Sequence, residues 1–187
     1  DVASTLPPRS VIYAELPTNP LIRLADIAAS RSAAPDDARL VVDATFASPV
    51  NVKALSLGAD LVVHSATKYL GGHHDLIAGM IAGNASLMDA VWRMRKLFGP
   101  VLDPAAAYRL WRGLETLSLR VHAQNASAST LATRLAEHPG VMRVHYPSLP
   151  THPDYDLAPR IMTGFGGVLS FELKGGARAA ANVVDAT

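Results

Sequence analysis

The chain has 187 residues, long enough for one or two domains with a substantial core. Its 17 basic and 16 acidic residues leave a formal charge of +1, so neither a nucleic-acid-binding stripe nor a charged tail is expected. With no cysteine, no signal-peptide pattern in residues 1–20 and no apolar run long enough to span a membrane, the sequence reads as a soluble, cytoplasmic globular protein.

Residues 1–10 are polar and proline-bearing, a loop or fraying end. A strand is predicted over 11–14. It runs into Glu15-Leu16-Pro17-Thr18-Asn19-Pro20, where two prolines forbid a helix or a central strand. By itself Asn19 is a turn residue. A helix begins near Leu24, and a polar connection follows to Asp37. The apolar runs 40–42 and 61–63 do not alternate and read as fully buried strands. Between them a short helix over 52–57 stops at Gly58. Alternation of strand and helix to this point argues for an α/β fold with a parallel sheet.

A further strand is predicted over 76–82, and Asn84 or Ser86 caps a helix reaching about Leu97. Asp103-Pro104 starts another helix, whose apolar spacing through Leu110, Leu117, Leu131 and Leu135 predicts one long rod ending at His138-Pro139-Gly140. Residues 141–146 read as the first strand of a second domain, so the division falls between 1–137 and 138–187. Residues 147–159 form a proline-rich loop, and 168–173 a strand. Gly164-Phe165-Gly166-Gly167 lacks the spacing of a nucleotide fingerprint and precedes a strand, so it reads as structural. The last stretch, 176–187, is an alanine-rich helix.

The chemistry gathers at the ends of the two apolar strands. Ser65, Thr67 and Lys68 follow the second, where an open parallel sheet collects its ligands. Two hydroxyls and backbone N–H groups suit phosphate oxygens, and an amine suits an aldehyde if it can lose its proton. No acid lies between Ala66 and His74 to hold that amine as an ammonium. From spacing alone the lysine is an ordinary exposed one. Asp43 ends the first strand; its carboxylate can pair with a protonated ring nitrogen or cap a turn. His64, His73 and His74 fall close together, but without a metal-binding spacing they read as polar residues near a pocket mouth.

Taken in order, LPTNP (16–20), DATF (43–46), LGADLVVHSATKYLGGH (57–73), RGLETLSLR (112–120), HPGV (138–141) and MTGFGGVLSFEL (162–173) resemble the Cys/Met-metabolism family of pyridoxal-phosphate (PLP) enzymes, the cystathionine synthases and lyases. The stretches 49–69 and 162–173 are most similar to its cystathionine gamma-synthase branch. The resemblance implies the large domain of an aspartate-aminotransferase-like (fold type I) subunit, with the start of a smaller C-terminal domain. It implies that Lys68 holds PLP, that Asp43 keeps the ring nitrogen protonated, and that Ser65 and Thr67 hold the phosphate. Asn19 would contact both cofactor and substrate carboxylate, and Thr45 would pack near the ring. Leu16 and His74 depart from the family pattern.

The implied reaction is replacement of the γ-substituent of an activated homoserine ester by cysteine sulfur. C–S lyase or sulfhydrylase activity is the alternative within the family, and an inactive fragment or assembly module the alternative outside it. No metal is implied; small amino acids are the implied substrates and a homotetramer the implied assembly. By the same resemblance a phosphate loop, a ring-stacking tyrosine and the partner-donated residues lie upstream, and the substrate-carboxylate arginine downstream. The chain alone is therefore expected to be inactive.

Overall fold

Residues 6–186 are described by the computed structural model, so the first five residues of the expected N-terminal loop, and Thr187, lie outside it. Strand β1 (Val11–Glu15) leads through a loop with cis peptides before Pro17 and Pro20 to helix α1 (Ile27–Ala33), whose N-cap Asp26 accepts from the Ala29 N–H at 2.9 Å. Strand β2 (Arg39–Asp43) follows. The predicted helix over 52–57 is instead two single turns, α2 (Ser48–Asn51) and a 3-10 turn (Ala54–Leu57), the latter closed by Gly58 at φ 107°. Strands β3 (Leu61–Ser65) and β4 (Gly79–Gly83) complete a sheet of order β1-β2-β3-β4.

The sheet is mixed. Strands β1, β2 and β3 are parallel, but β4 returns antiparallel to β3 and pairs Ser65 with Gly79. The 13 residues between Ser65 and Gly79 form turns and loop with no helix, so the chain reverses instead of crossing over.

Burial corrects the reading of the apolar runs as buried on both sides. In β2 and β3 Leu40, Val42, Val62 and His64 are buried, and their alternate neighbours are only half-buried or exposed. The covered face meets Leu16, Leu24, Ile27, Ala47, Val52 and Met162 in one core. The other face carries exposed Val11, Tyr13 and Ile81, because among the described residues no element is packed across it. An unbroken apolar run reports strand, not the number of faces covered.

After β4, Asn84 caps helix α3 (Ala85–Phe98), and Asp103 caps α4 (Pro104–Glu115) by accepting from the Ala105 and Ala106 N–H groups. The expected single rod is broken at Thr116, and α5 (Leu117–Ala136) starts afresh. The break falls where a backbone carbonyl turns from the helical ladder to side chains. The Gly113 carbonyl, which would continue the ladder, accepts from the Arg120 guanidinium at 2.6 Å and from the Thr116 hydroxyl at 3.4 Å.

Strand β5 (Val141–His145) pairs antiparallel with β6 (Ser170–Leu173), with the one-turn α6 (Ala158–Ile161) between them and α7 (Gly176–Asp185) after. This second sheet packs on α5 around Ala128, Ala132, Val144 and Tyr146. The glycine-rich turn before β6 is indeed structural. The amides of Asn51 and Asn125 bond each other reciprocally at 2.8–2.9 Å, and a Cβ on Gly164 would collide with both. Gly166, at φ 88°, donates its N–H to Asn125 Oδ1 at 3.0 Å. The buried Tyr146 hydroxyl donates to the Gly166 carbonyl at 2.8 Å, and burial pushes that phenol up to about 12.

Candidate active site

The carboxyl ends of β1, β2 and β3 lie at one edge of the sheet, with Glu15 opposite Asp43 and Asp43 opposite Val63. Parallel strands therefore deliver the Asn19 loop, the Asp43–Thr45 turn and the Ser65–Lys68 segment to the same side of the molecule. The Leu16 N–H donating to the Asp43 carbonyl at 2.9 Å joins the first two.

Asp43 is half-buried and fully oriented. Its Oδ1 accepts from the Thr45 N–H at 2.9 Å and the Thr45 hydroxyl at 2.5 Å, and its Oδ2 accepts from the Tyr13 hydroxyl at 3.1 Å. Thr45 Oγ1 in turn accepts from the Ser65 N–H at 2.8 Å, which ties β2 to the end of β3. Thr45 thus does more than pack: it fixes the carboxylate. One lone-pair direction of Oδ2 remains for a further N–H donor.

Behind Asp43, on the core face, His64 is 3% exposed, and its Nδ1 has no hydrogen-bond partner among the described residues. Burial lowers its pKa, outweighing the attraction of the Asp43 charge and a bond to the Ala44 backbone, so the imidazole is neutral. His73 Nδ1 donates to the Gly71 carbonyl at 2.8 Å, and His74 is exposed at φ 56°. The three neighbouring histidines therefore do not converge, and among the described residues no group of three His, Asp or Glu side chains is arranged to hold a metal.

Ser65 and Thr67 differ in availability. The Ser65 hydroxyl makes no hydrogen bond with the described residues, whereas Thr67 Oγ1 accepts from the Ala78 N–H at 3.0 Å and donates to the Ala78 carbonyl at 3.3 Å. Lys68 is exposed, and among the described residues no carboxylate forms an ion pair with it. Asn19 is exposed as well. Its N–H reaches the Glu15 carboxylate at 3.4 Å, and among the described residues no hydrogen bond joins its side chain to the Asp43–Lys68 group.

Chemically the edge presents three separated functions: a primary amine, an oriented carboxylate with acceptor capacity left, and a hydroxyl with no partner among the described residues. A ligand bearing a carbonyl, a ring N–H and an anionic group would meet all three. Tyr13 was not apparent from the sequence as a member of this edge, and His64, read there as a polar residue near a pocket mouth, is instead buried on the core face. Tyr13 lies two residues before Glu15, on the strand side shared with Asp43, which is the one signal that could have found it.

The family described as Cys/Met metabolism PLP-dependent enzyme matches residues 2–187. Cystathionine gamma-synthase 1, chloroplastic, of Arabidopsis thaliana is 49% identical over 177 residues, covering 94% of this chain and 31% of that protein. Among solved structures, cystathionine gamma synthase from Xanthomonas oryzae pv. oryzae in complex with cystathionine superposes with a TM-score of 0.91 at 39% identity, over 94% of this chain and 46% of that one. Cystathionine gamma-lyase from Lactobacillus plantarum complexed with L-serine gives 0.89 at 40% identity, over 92% and 46%. The chain spans about a third to a half of the length of these relatives.

Proposed function

Because the chain belongs to the Cys/Met-metabolism family of PLP-dependent enzymes, we propose that it carries the cofactor lysine and ring-nitrogen carboxylate of a cystathionine gamma-synthase. The observation that carries this reading is the joint placement of an unpaired Lys68, a triply bonded Asp43 and a free Ser65 hydroxyl at one sheet edge. These residues fit pyridoxal phosphate function by function. Lys68 Nζ suits the aldehyde, the open lone pair of Asp43 Oδ2 suits the ring N–H, and the Ser65 hydroxyl suits the phosphate, which Thr67 would join by turning its hydroxyl from the Ala78 carbonyl.

When bound, the cofactor supplies an electron sink for charge developing on the substrate carbons. Asp43 holds the proton on the ring nitrogen. Thr45 keeps that carboxylate from rotating, and Lys68 Nζ would take a proton from substrate Cα and return one further along the substrate. Asn19 orients the substrate carboxylate. The net proposed reaction replaces the γ-substituent of an activated homoserine ester by cysteine sulfur. The near-equal likeness to a gamma-lyase favours C–S cleavage on the same residues as the second reading.

The activity belongs to the whole subunit. For the 187-residue chain alone we propose no turnover, since Lys68 is exposed and Asp43 lies toward the uncovered sheet face, where water competes for both. A homo-oligomer, a tetramer by the family resemblance, is part of the same proposal, and sedimentation of the whole protein checks it.

Borohydride reduction of the PLP-treated protein followed by peptide mapping tests the site. A pyridoxyl group on Lys68, absent in Lys68→Ala, supports it, and label scattered over other lysines overturns it. Product analysis of the whole enzyme with an O-acylhomoserine and cysteine, against cystathionine alone, separates synthase from lyase.

A further inference from the structure

The motif RGLETLSLR (112–120) has no part in the chemistry above, yet its residues converge on the loop that carries Lys68. That loop is soft by composition. It contains Gly71 and Gly72, the latter at φ 76°, and its internal order rests on a few local bonds: Lys68 N–H to Ser65 at 3.1 Å, Gly71 N–H to Ala66 at 2.8 Å and Gly72 N–H to Lys68 at 2.8 Å.

Arg120 closes on it from α5. Its Nη1 donates to the Tyr69 carbonyl at 2.7 Å, its Nη2 to the Gly113 carbonyl at 2.6 Å and its Nε to the Thr116 hydroxyl at 3.0 Å. The glycines make this approach possible. A Cβ on Gly72 would collide with the guanidinium, and a Cβ on Gly113 would collide with the Leu70 and Gly71 carbonyls. Arg112 and Asp75, 3.8 Å apart, hold the loop's far end.

We propose that Arg120, seated by Gly113 and Thr116, is a positioning residue that latches the backbone immediately after Lys68. The residue before the lysine is fixed independently, by the bonds of Thr67 to Ala78. Lys68 is therefore clamped on both sides while its own side chain stays free. A lysine amine rides on a flexible four-carbon stem, so its aim depends on where that stem is rooted. The guanidinium spreads its donors over three nitrogens, one for each of the two carbonyls and the hydroxyl, whereas an ammonium has its three donors on one atom at a shorter reach. The break between α4 and α5 follows from the same contacts, since the Gly113 carbonyl is turned to the arginine.

This inference rests on the reading of Lys68 as the cofactor lysine, and the test separates the two. In the whole protein, Arg120→Lys is compared with wild type by amide hydrogen exchange at Gly71 and Gly72 and by the rate of PLP release. Exchange at those amides is expected to quicken at least about tenfold, with Gly166, bonded to the same α5, unchanged, and PLP release to quicken by a similar factor. Unchanged exchange at Gly71 and Gly72, or equal acceleration at Gly166, overturns the latch. Thr116→Val, which removes the Nε partner and the long bond from the Thr116 hydroxyl to Gly113 but leaves both guanidinium–carbonyl bonds, gives a smaller shift of the same kind and decides the matter if Arg120→Lys fails to fold. Absence of label on Lys68 in wild type would refute the cofactor reading, and the exchange arm would still judge the latch.

Discussion

Tyr13 donates its hydroxyl to Oδ2 of Asp43 across 3.1 Å, from the neighbouring strand, while Thr45 supplies both donors to Oδ1. The carboxylate is thus held from two directions before any ligand arrives. Partial burial and that carboxylate together raise the Tyr13 pKa, so the phenol remains a donor at any ordinary pH. Tyr13→Phe removes one neutral donor and is expected to weaken PLP binding about three- to tenfold. Thr45→Val removes a second donor and the acceptor for Ser65, and should cost more. Absorption titration with PLP checks the order; equal affinities in all three proteins would refute the orienting role.

The reciprocal amide pair Asn51–Asn125 leaves no room beside Gly164. Gly164→Ala is expected to lower stability by about 1–3 kcal/mol through overpacking. Asn125→Ala should relieve most of that clash while losing its own hydrogen bonds, so the two changes are expected to be strongly non-additive. Denaturant midpoints of the single and double variants measure this directly. Simple additivity would count against the pairing.

Asp154 anchors the loop after β5 to the Asn19 segment. It accepts from Arg23 Nε at 2.6 Å, Arg23 Nη2 at 2.9 Å and the buried Leu24 N–H at 2.9 Å, and these bonds hold its carboxyl below the usual range. Arg23 is half-exposed, so the ion pair is screened and the main loss in Asp154→Ala is the orphaned Leu24 donor, about 1–2 kcal/mol in all. Thermal melting gives the number, and Asp154→Asn should recover part of it by still accepting from Leu24.

Acid should unfold the chain in two stages. Burial lowers the pKa values of His64 and His152 from 6.5, so the unfolded chain binds more protons below that value. Their contribution to stability is complete above pH 6.5 and falls as pH drops toward their folded-state values. Asp154, depressed from 3.8, adds a second loss below about that pH. Urea midpoints measured between pH 3 and 8 should show both slopes. His64→Gln is expected to flatten the first, and a profile level from 8 to 5 would contradict it.

Local signals carried much of the architecture. Asn84, Asp103-Pro104 and Gly58 punctuate helices where capping chemistry says they should, and the two apolar runs became β2 and β3. Asp43 and Ser65 were findable because strand ends in a parallel sheet share an edge. What stayed hidden was set by distant partners. The helix break at Thr116 goes with the Gly113 carbonyl turning to Arg120, and the orientation of Asp43 depends on Tyr13. The buried positions Ala106, Gly113, Leu117, Val121, Ala128 and Ala132 keep helical spacing across the break, while Leu131 of the apolar series is exposed, so spacing shows neither the break nor the whole core-facing stripe. His64 reads in sequence as a polar residue near a pocket mouth because a strand's alternation does not reveal which face the core takes.

The Ser170 hydroxyl donates to the Pro20 carbonyl at 2.6 Å, across 150 positions of chain. A ribosome releases Pro20 long before Ser170, so during synthesis the Asn19 loop emerges without one of its supports. The parallel strands β1 to β3 can assemble first, but the loop beside them takes its final anchoring only when β6 arrives. The part of the edge closest to the proposed substrate is thus among the last pieces to be completed on the nascent chain.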